Sequence, residues 1–215
     1  MSDKAAVKVE GLEKKYLRTE ALRGVDISFP AGQISGLIGP NGSGKSTLLK
    51  SIVGLVRPGR GRIEVLGKDK AELANKKLKE KIAFLPEVDH LYGWMRLEDM
   101  IDFYDSQYSN FNPRRAREIV DFMNLNLDQK IKGLSKGMKA RVKLVLTMAR
   151  EVPLLILDEP LAGIDPQSRA RILEGLINEY EAGEQTVILS THEVLEAEKF
   201  FDYAIFLEEG KVKLQ

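Results

Sequence analysis

"GLIGPNGSGKSTLLKSIVG", Gly36 to Gly54, is the stretch on which the reading of this chain turns. An apolar run over 34–40 predicts a strand, a glycine-rich turn follows it, and apolar residues at helical spacing follow the turn. Gly39-Pro40-Asn41-Gly42-Ser43-Gly44-Lys45-Ser46 fits G-x-x-x-x-G-K-[ST] in the strand-before, helix-after context that pattern needs. Glycines let backbone N–H groups turn inward around phosphate oxygens. Lys45 brings a point charge for β/γ-phosphates, the Ser46 hydroxyl can ligand Mg²⁺, and the helix aims its positive end at the anion. The bland alternative, a glycine turn opening a helix, leaves the lysine and serine unexplained.

Outward from that loop, further short β-type runs occur at 61–67, 81–87, 153–160 and 185–193, alternating with helical stretches. The apolar cores 154–157 and 187–189 suggest strands buried on both faces, as in a parallel sheet covered by helices. Residues 7–16 and 21–32 alternate instead and predict an antiparallel piece, with Pro30-Ala31-Gly32 as a turn. A terminal hairpin turning at Glu209-Gly210 is expected over 203–214. Between 87 and 150 the periodicity is helical, over 96–108, 112–125 and 135–152, with Asn112-Pro113 as a cap and first-position signal. The expected fold is therefore α/β: a mainly parallel core sheet, an N-terminal antiparallel piece and an inserted helical subdomain.

At the C-terminal end of the run "LLILDEP" stand Asp158 and Glu159. Such strand ends line the ligand crevice of parallel sheets. An Asp there can hold Mg²⁺, and the next residue can activate an attacking water. His192 follows the run "TVILST", again at a C-terminal end, where an imidazole can position a phosphate or water.

Composition narrows the classes. The chain has 215 residues, Lys plus Arg at 33 against Asp plus Glu at 32, and no cysteine. Near-neutrality argues against a nucleic-acid partner held by bulk charge. Without cysteine there is neither a disulfide framework nor a thiolate metal site, which fits a reducing cytosol. No stretch reaches the roughly 20 apolar residues of a membrane helix, and "MSDKAAVKVEG" lacks the apolar core of a signal peptide.

With these motifs in order, the chain resembles the nucleotide-binding subunit of an ABC transporter over essentially its whole length. "GPNGSGKST" resembles the Walker A motif through Thr47, "LLILDEP" the Walker B motif, "LAGIDP" the D-loop with Asp165, and "STHE" the switch histidine His192. The resemblance makes Tyr16 the aromatic that stacks on adenine and Glu159 the catalytic base. "LSKGMK" falls at the signature motif, where Ser135, Gly137 and a helix start would meet ATP held by a second nucleotide-binding subunit, head to tail, in a homo- or heterodimer. The implied cofactors are ATP and Mg²⁺, the latter on Ser46, Asp158 and Glu87. A P-loop ATPase core over 1–86 and 151–215 and a helical signature subdomain over 87–150 follow from the same resemblance.

The chain departs from the family pattern at Glu87, where a glutamine is usual, and at Lys136 and Met138 within the signature. The sequence ends soon after the final hairpin, at Gln215, where some importers of the family continue into a C-terminal regulatory domain. "LSKGMK" and "LPE" look most similar to two-component drug, antibiotic or peptide exporters. A polytopic membrane subunit would dock near 88–100, where Leu91, Tyr92, Trp94 and Met95 cluster, or these side chains fill the helical region's own core. The expected place is cytoplasmic, peripheral on the inner face of the cell membrane. The alternatives are an importer ATPase and a soluble ABC-type ATPase. Only 46 residues separate Glu87 from Leu134, too few for the long coiled coil of repair types. A GTPase is disfavoured because "NKKL" over 75–78 lacks the guanine-reading aspartate.

Overall fold

The computed structural model describes residues 5–69, 76–88, 90–180, 184–192 and 198–214. Asn75, Asp89, Glu193 and Gln215, named in the motifs above, lie outside them, as do Met1 to Lys4.

The elements run β1 (Ala5–Tyr16), β2 (Thr19–Pro30), β3 (Ile34–Ile38), α1 (Lys45–Ile52), β4 (Arg60–Val65), β5 (Lys68–Asp69), α2 (Lys76–Lys79) and β6 (Ile82–Leu85). They continue α3 (Leu97–Gln107), α4 (Pro113–Phe122), α5 (Lys136–Met148), β7 (Leu154–Asp158), α6 (Pro166–Glu179), β8 (Thr186–Thr191), β9 (Tyr203–Glu208) and β10 (Lys211–Leu214). Two sheets form among the described residues, ordered β2-β1-β4-β5 and β10-β9-β3-β8-β7-β6. Within the second, β6, β7, β8, β3 and β9 pair in parallel and β10 closes antiparallel on β9.

β3, β7 and β8 are buried along their whole length, as strands covered on both faces must be. The pleat then divides the core. Leu154, Ile156 and Ile188 point to the side of α1 and the antiparallel sheet, with Leu48, Leu49, Val7 and Phe29. Leu155, Leu157, Val187 and Leu189 point the other way, into the helices, against Met100, Ile119, Val142 and Val145. Alternation with period two is enough to make one strand serve two cores.

The run at 61–67, read as one of the β-type runs alternating with helices, enters the antiparallel sheet as β4, paired with β1 through Val9↔Ile63 and Val7↔Val65. It lies between β1 and the two-residue β5, exposed over its first three residues and burying Ile63 and Val65 at its end. The hairpin turn forms at Glu209 (φ 47°) and Gly210 (φ 75°), the two left-handed residues that a tight primed turn requires. Asn112 caps α4 by accepting from Arg115 N at 3.0 Å, with Pro113 in the first turn.

The 88–100 stretch divides between buried and exposed side chains. Leu91 and Met95 pack on the helical core, whereas Trp94 is 70% and Tyr92 46% exposed, their rings 6.3 Å apart. No helix among the described residues is long and apolar enough to cross a membrane.

Candidate nucleotide site

The ends of β3, β7 and β8 lie side by side, so three segments far apart in sequence converge. α1 starts at Gly44, which has φ 108° and no side-chain cap. A Cβ on Gly44 would collide with the Ala21 carbonyl, and one on Gly39 with the Leu207 carbonyl, so the loop can hold this shape only with glycine at both places. Asn41, Gly42, Gly44, Lys45, Ser46 and Thr47 line a cleft of about 340 Å³, with Glu87 and Glu159 on its far side. Gly39 and Ser43 lie beneath it, both buried.

Lys45 is buried and donates to the Gly39 and Pro40 carbonyls at 2.6 and 3.1 Å. Its ammonium is 3.1 Å from Glu159 Oε1. The other carboxylate oxygen, Oε2, lies 2.9 Å from His192 Nδ1. Glu159 is thus held between a cation and an imidazole, on a backbone with φ 49°. A non-glycine residue in that region costs free energy and is kept only where its surroundings over-determine it. Here the Glu159 N–H donates to Ser190 Oγ at 2.9 Å.

Asp158 is fully buried, and its Oδ1 accepts from Ser46 and Ser190 at 2.9 Å each. Burial pushes its carboxyl above the ordinary range, and the two serine hydroxyls pull it back. Its Oδ2 is buried without a hydrogen-bond partner. An oxygen-only set with one carboxylate oxygen to spare suits a hard divalent ion, and Mg²⁺ takes few protein ligands when phosphates supply the rest. Among the described residues no cluster of three or more His, Cys, Asp or Glu is placed to hold a metal ion.

Tyr16 does not itself line the cleft. It pairs with Thr19, which lines the cleft, while its own exposed ring carries the Lys14 ammonium 4.9 Å from its centroid. Ser135, Gly137 and Asp165 do not line the cleft; they gather at the start of α5. Ser135 is exposed and caps α5 by accepting from Met138 N at 3.2 Å. A Cβ at Gly137 would sit 3.5 Å from Asp165 Oδ2, so the two motifs touch. Asp165 caps α6 through Ser168 N, and that bond holds its exposed carboxyl below the usual range.

Ser190, which sequence reasoning passed over, joins the same cluster. It bridges Asp158 and Glu159, and its only signal was a hydroxyl at the end of the apolar run "VILS". Lys143 was missed as well: 9% exposed on α5, it donates to the Glu87 carbonyl at 3.1 Å and ties that helix to the cleft wall.

Fold and site together define a phosphate-loop nucleotide hydrolase. A family model described as ABC transporter matches residues 22–162. The linearmycin resistance ATP-binding protein LnrL of Bacillus subtilis (strain 168) is 34% identical over 215 residues, covering 96% of this chain and 67% of its own length. The Nod factor export ATP-binding protein I of Burkholderia orbicola (strain AU 1054) is 32% identical over 213 residues, covering 96% and 69%. Among solved structures, a dimeric ATP-binding cassette bound to ADP and Pi in a post-hydrolysis state matches with a TM-score of 0.84 at 25% identity, over 97% of each chain. The chain belongs to the ABC transporter family, as an ATP-binding and ATP-hydrolysing subunit.

Proposed function

We propose that this subunit drives an exporter and works as a head-to-tail dimer of nucleotide-binding subunits attached to a polytopic membrane partner. One observation carries the reading of the site: Ser46, Asp158, Ser190, Glu159, Lys45 and His192, drawn from three separate segments, form one chain of contacts between 2.9 and 3.1 Å, with Ser190 joining Asp158 to the Glu159 N–H. In this reading Gly39 to Thr47 cradle the phosphates and Tyr16 stacks on the adenine. Ser46, Asp158 and Glu87 would hold Mg²⁺, which when bound offsets charge on the β- and γ-phosphate oxygens. Glu159 takes the proton of the attacking water, and His192, on its second oxygen, keeps that carboxylate aimed.

Ser135 and Gly137 of each subunit serve the ATP of the other. Ser135 is exposed and Gly137 half-buried at the start of α5, and neither lines the chain's own cleft, which supports that division. A core over 1–86 and 151–215 then moves against a helical part over 87–150, and closure follows the charge of the shared nucleotide. The membrane partner docks at Trp94 and Tyr92, whose exposure suits an apolar helix laid across them. In this reading the chain works on the inner face of the cell membrane, held there by its partner. The export direction rests on the relatives named for linearmycin resistance and Nod factor export.

The test is Glu159→Gln with ATP on a sizing column. A stable dimer that fails to hydrolyse ATP is the expected result, and turnover at the parent rate would remove Glu159 from its role. Ser135→Arg should prevent dimerisation while the monomer keeps its ATP affinity. Sequencing what co-purifies from detergent-solubilised membranes tests the partner; a purely soluble companion would overturn the transporter assembly.

A further inference from the structure

Lys143 stands in the run "VKLVLTM" of α5, where Val142, Leu144, Val145 and Leu146 are fully buried. It is itself only 9% exposed. Taking an ammonium out of water is costly, and an apolar side chain of similar volume in such a place is often neutral or stabilising. Packing therefore does not ask for a lysine here. What the lysine does is donate to the Glu87 carbonyl at 3.1 Å, across 56 positions of sequence.

Glu87 follows β6 outside any strand or helix, and it is exposed. It lines the nucleotide cleft together with Lys45, Ser46 and Glu159. It also lines a second cleft, of about 290 Å³, that it shares with Glu159 and with Lys136, Lys139 and Lys143 of α5. The peptide that carries the Glu87 carboxylate is thus fastened from behind the wall between the two clefts. Because a peptide unit is planar, holding its carbonyl restrains the direction in which the Glu87 side chain leaves the backbone. A hydrogen bond from an ammonium is also stronger than one between neutral groups. Ala83 and Leu85 of β6 share one core with Val142 and Val145 of α5, so strand and helix are packed together just before the tether.

We propose that Lys143 is a positioning residue that sets Glu87 in the nucleotide cleft. The inference rests on the ATPase reading above and on the place given there to Glu87. Lys143 touches no substrate in this arrangement; it acts through the Glu87 backbone, and its worth lies in geometry rather than in stability.

The experiment compares the full chain with Lys143→Met, Glu87→Ala and the double variant. Lys143→Met keeps the length of the side chain and removes the donor. Its denaturant midpoint should equal or exceed the parent's, as where a buried charge gives way to an apolar group. Its kcat should fall roughly 10-fold with little change in KM, since a misplacement of about 1 Å can cost ~10²-fold. In the Glu87→Ala chain the same substitution should lower kcat no further, because the group it positions is already gone. Without nucleotide, amide hydrogen exchange at Glu87 and Val88 should quicken in Lys143→Met and keep the parent's rate along α5.

A full loss of kcat from Lys143→Met in the Glu87→Ala chain, or unaltered exchange at Glu87 and Val88, overturns the assignment. So does a lowered midpoint or a chain that no longer folds, either of which makes Lys143 a structural residue. If Glu87→Ala hydrolyses ATP at the parent's rate, or the parent hydrolyses none, the reading of the site has failed instead. Exchange at Glu87 and Val88 then judges the tether by itself: quickened exchange in Lys143→Met supports it, and equal exchange overturns it.

Discussion

α1 and α5 both begin in small polar residues, yet their circumstances are opposite. At the start of α1 no side chain caps the helix, and the strand ends around it supply Asp158, Ser190, Glu159 and His192. At the start of α5 Ser135 caps its own helix in the open, and the neighbour brought to its first turn is the Asp165 loop. Orphan N–H groups at a buried helix start need a partner, so the first arrangement is built to take an anion within the chain. The second is stable as it stands, and any ligand it reads must be brought to it. The same helix-start chemistry is surrounded by charged groups in one place and left open in the other, and the surrounding strands decide which.

This contrast can be broken at several points. The largest effect is expected from Glu159→Gln, which should lower the hydrolytic rate by about 10²- to 10⁴-fold, the range for a lost general base, while nucleotide affinity changes little. Single-turnover kinetics with parallel binding measurements would check it; a proportionate loss of affinity would make Glu159 a binding residue. Ser190→Ala comes next. It leaves the buried Glu159 N–H without its partner and should cost about 1–3 kcal/mol in denaturant unfolding. An unchanged midpoint would mean that the strained Glu159 backbone is held by something else.

Asp158→Asn should act in the other direction on the free chain. Its carboxyl is held above the ordinary range by burial, so the ionised form works against folding at neutral pH. In a chelating buffer at pH 7 the variant should gain on the order of 1 kcal/mol. The gain should shrink as pH falls through the folded-state pKa, because the native carboxyl then becomes neutral too. A loss of stability at pH 7 would show that the two serine bonds outweigh burial. The smallest effect belongs to Ser135→Ala, at most about 1 kcal/mol for an exposed cap, with unaltered ATP binding by the monomer. Loss of that binding would erase the distinction between the two helix starts.

The parts of this architecture that obey local rules were readable before any coordinates. Asn112-Pro113 opens α4, Glu209-Gly210 turns the last hairpin, and the glycines around Lys45 sit where side chains would strike neighbouring carbonyls. The route of 61–67 into the antiparallel sheet was not legible, because a six-residue strand with mixed burial suits either sheet until its partner is known. Nor was the left-handed backbone of Glu159, since a glutamate carries no local preference for it. Ser190 was hidden for a related reason: a serine ending an apolar run is ordinary until Asp158 and Glu159 are placed beside it.

By itself the sequence determined the phosphate loop and the buried strands and named the groups proposed to meet a nucleotide, because each depends on residue types within one turn or one strand. Tertiary structure alone decided that β3, β7 and β8 lie adjacent, so that Ser46 reaches Asp158 across 112 positions. It also decided that Glu87 faces two clefts and that the lysines of α5 line one of them. Those facts follow from strand order and helix orientation, which are set by how one buried face packs on another, and a pattern along the chain does not contain that.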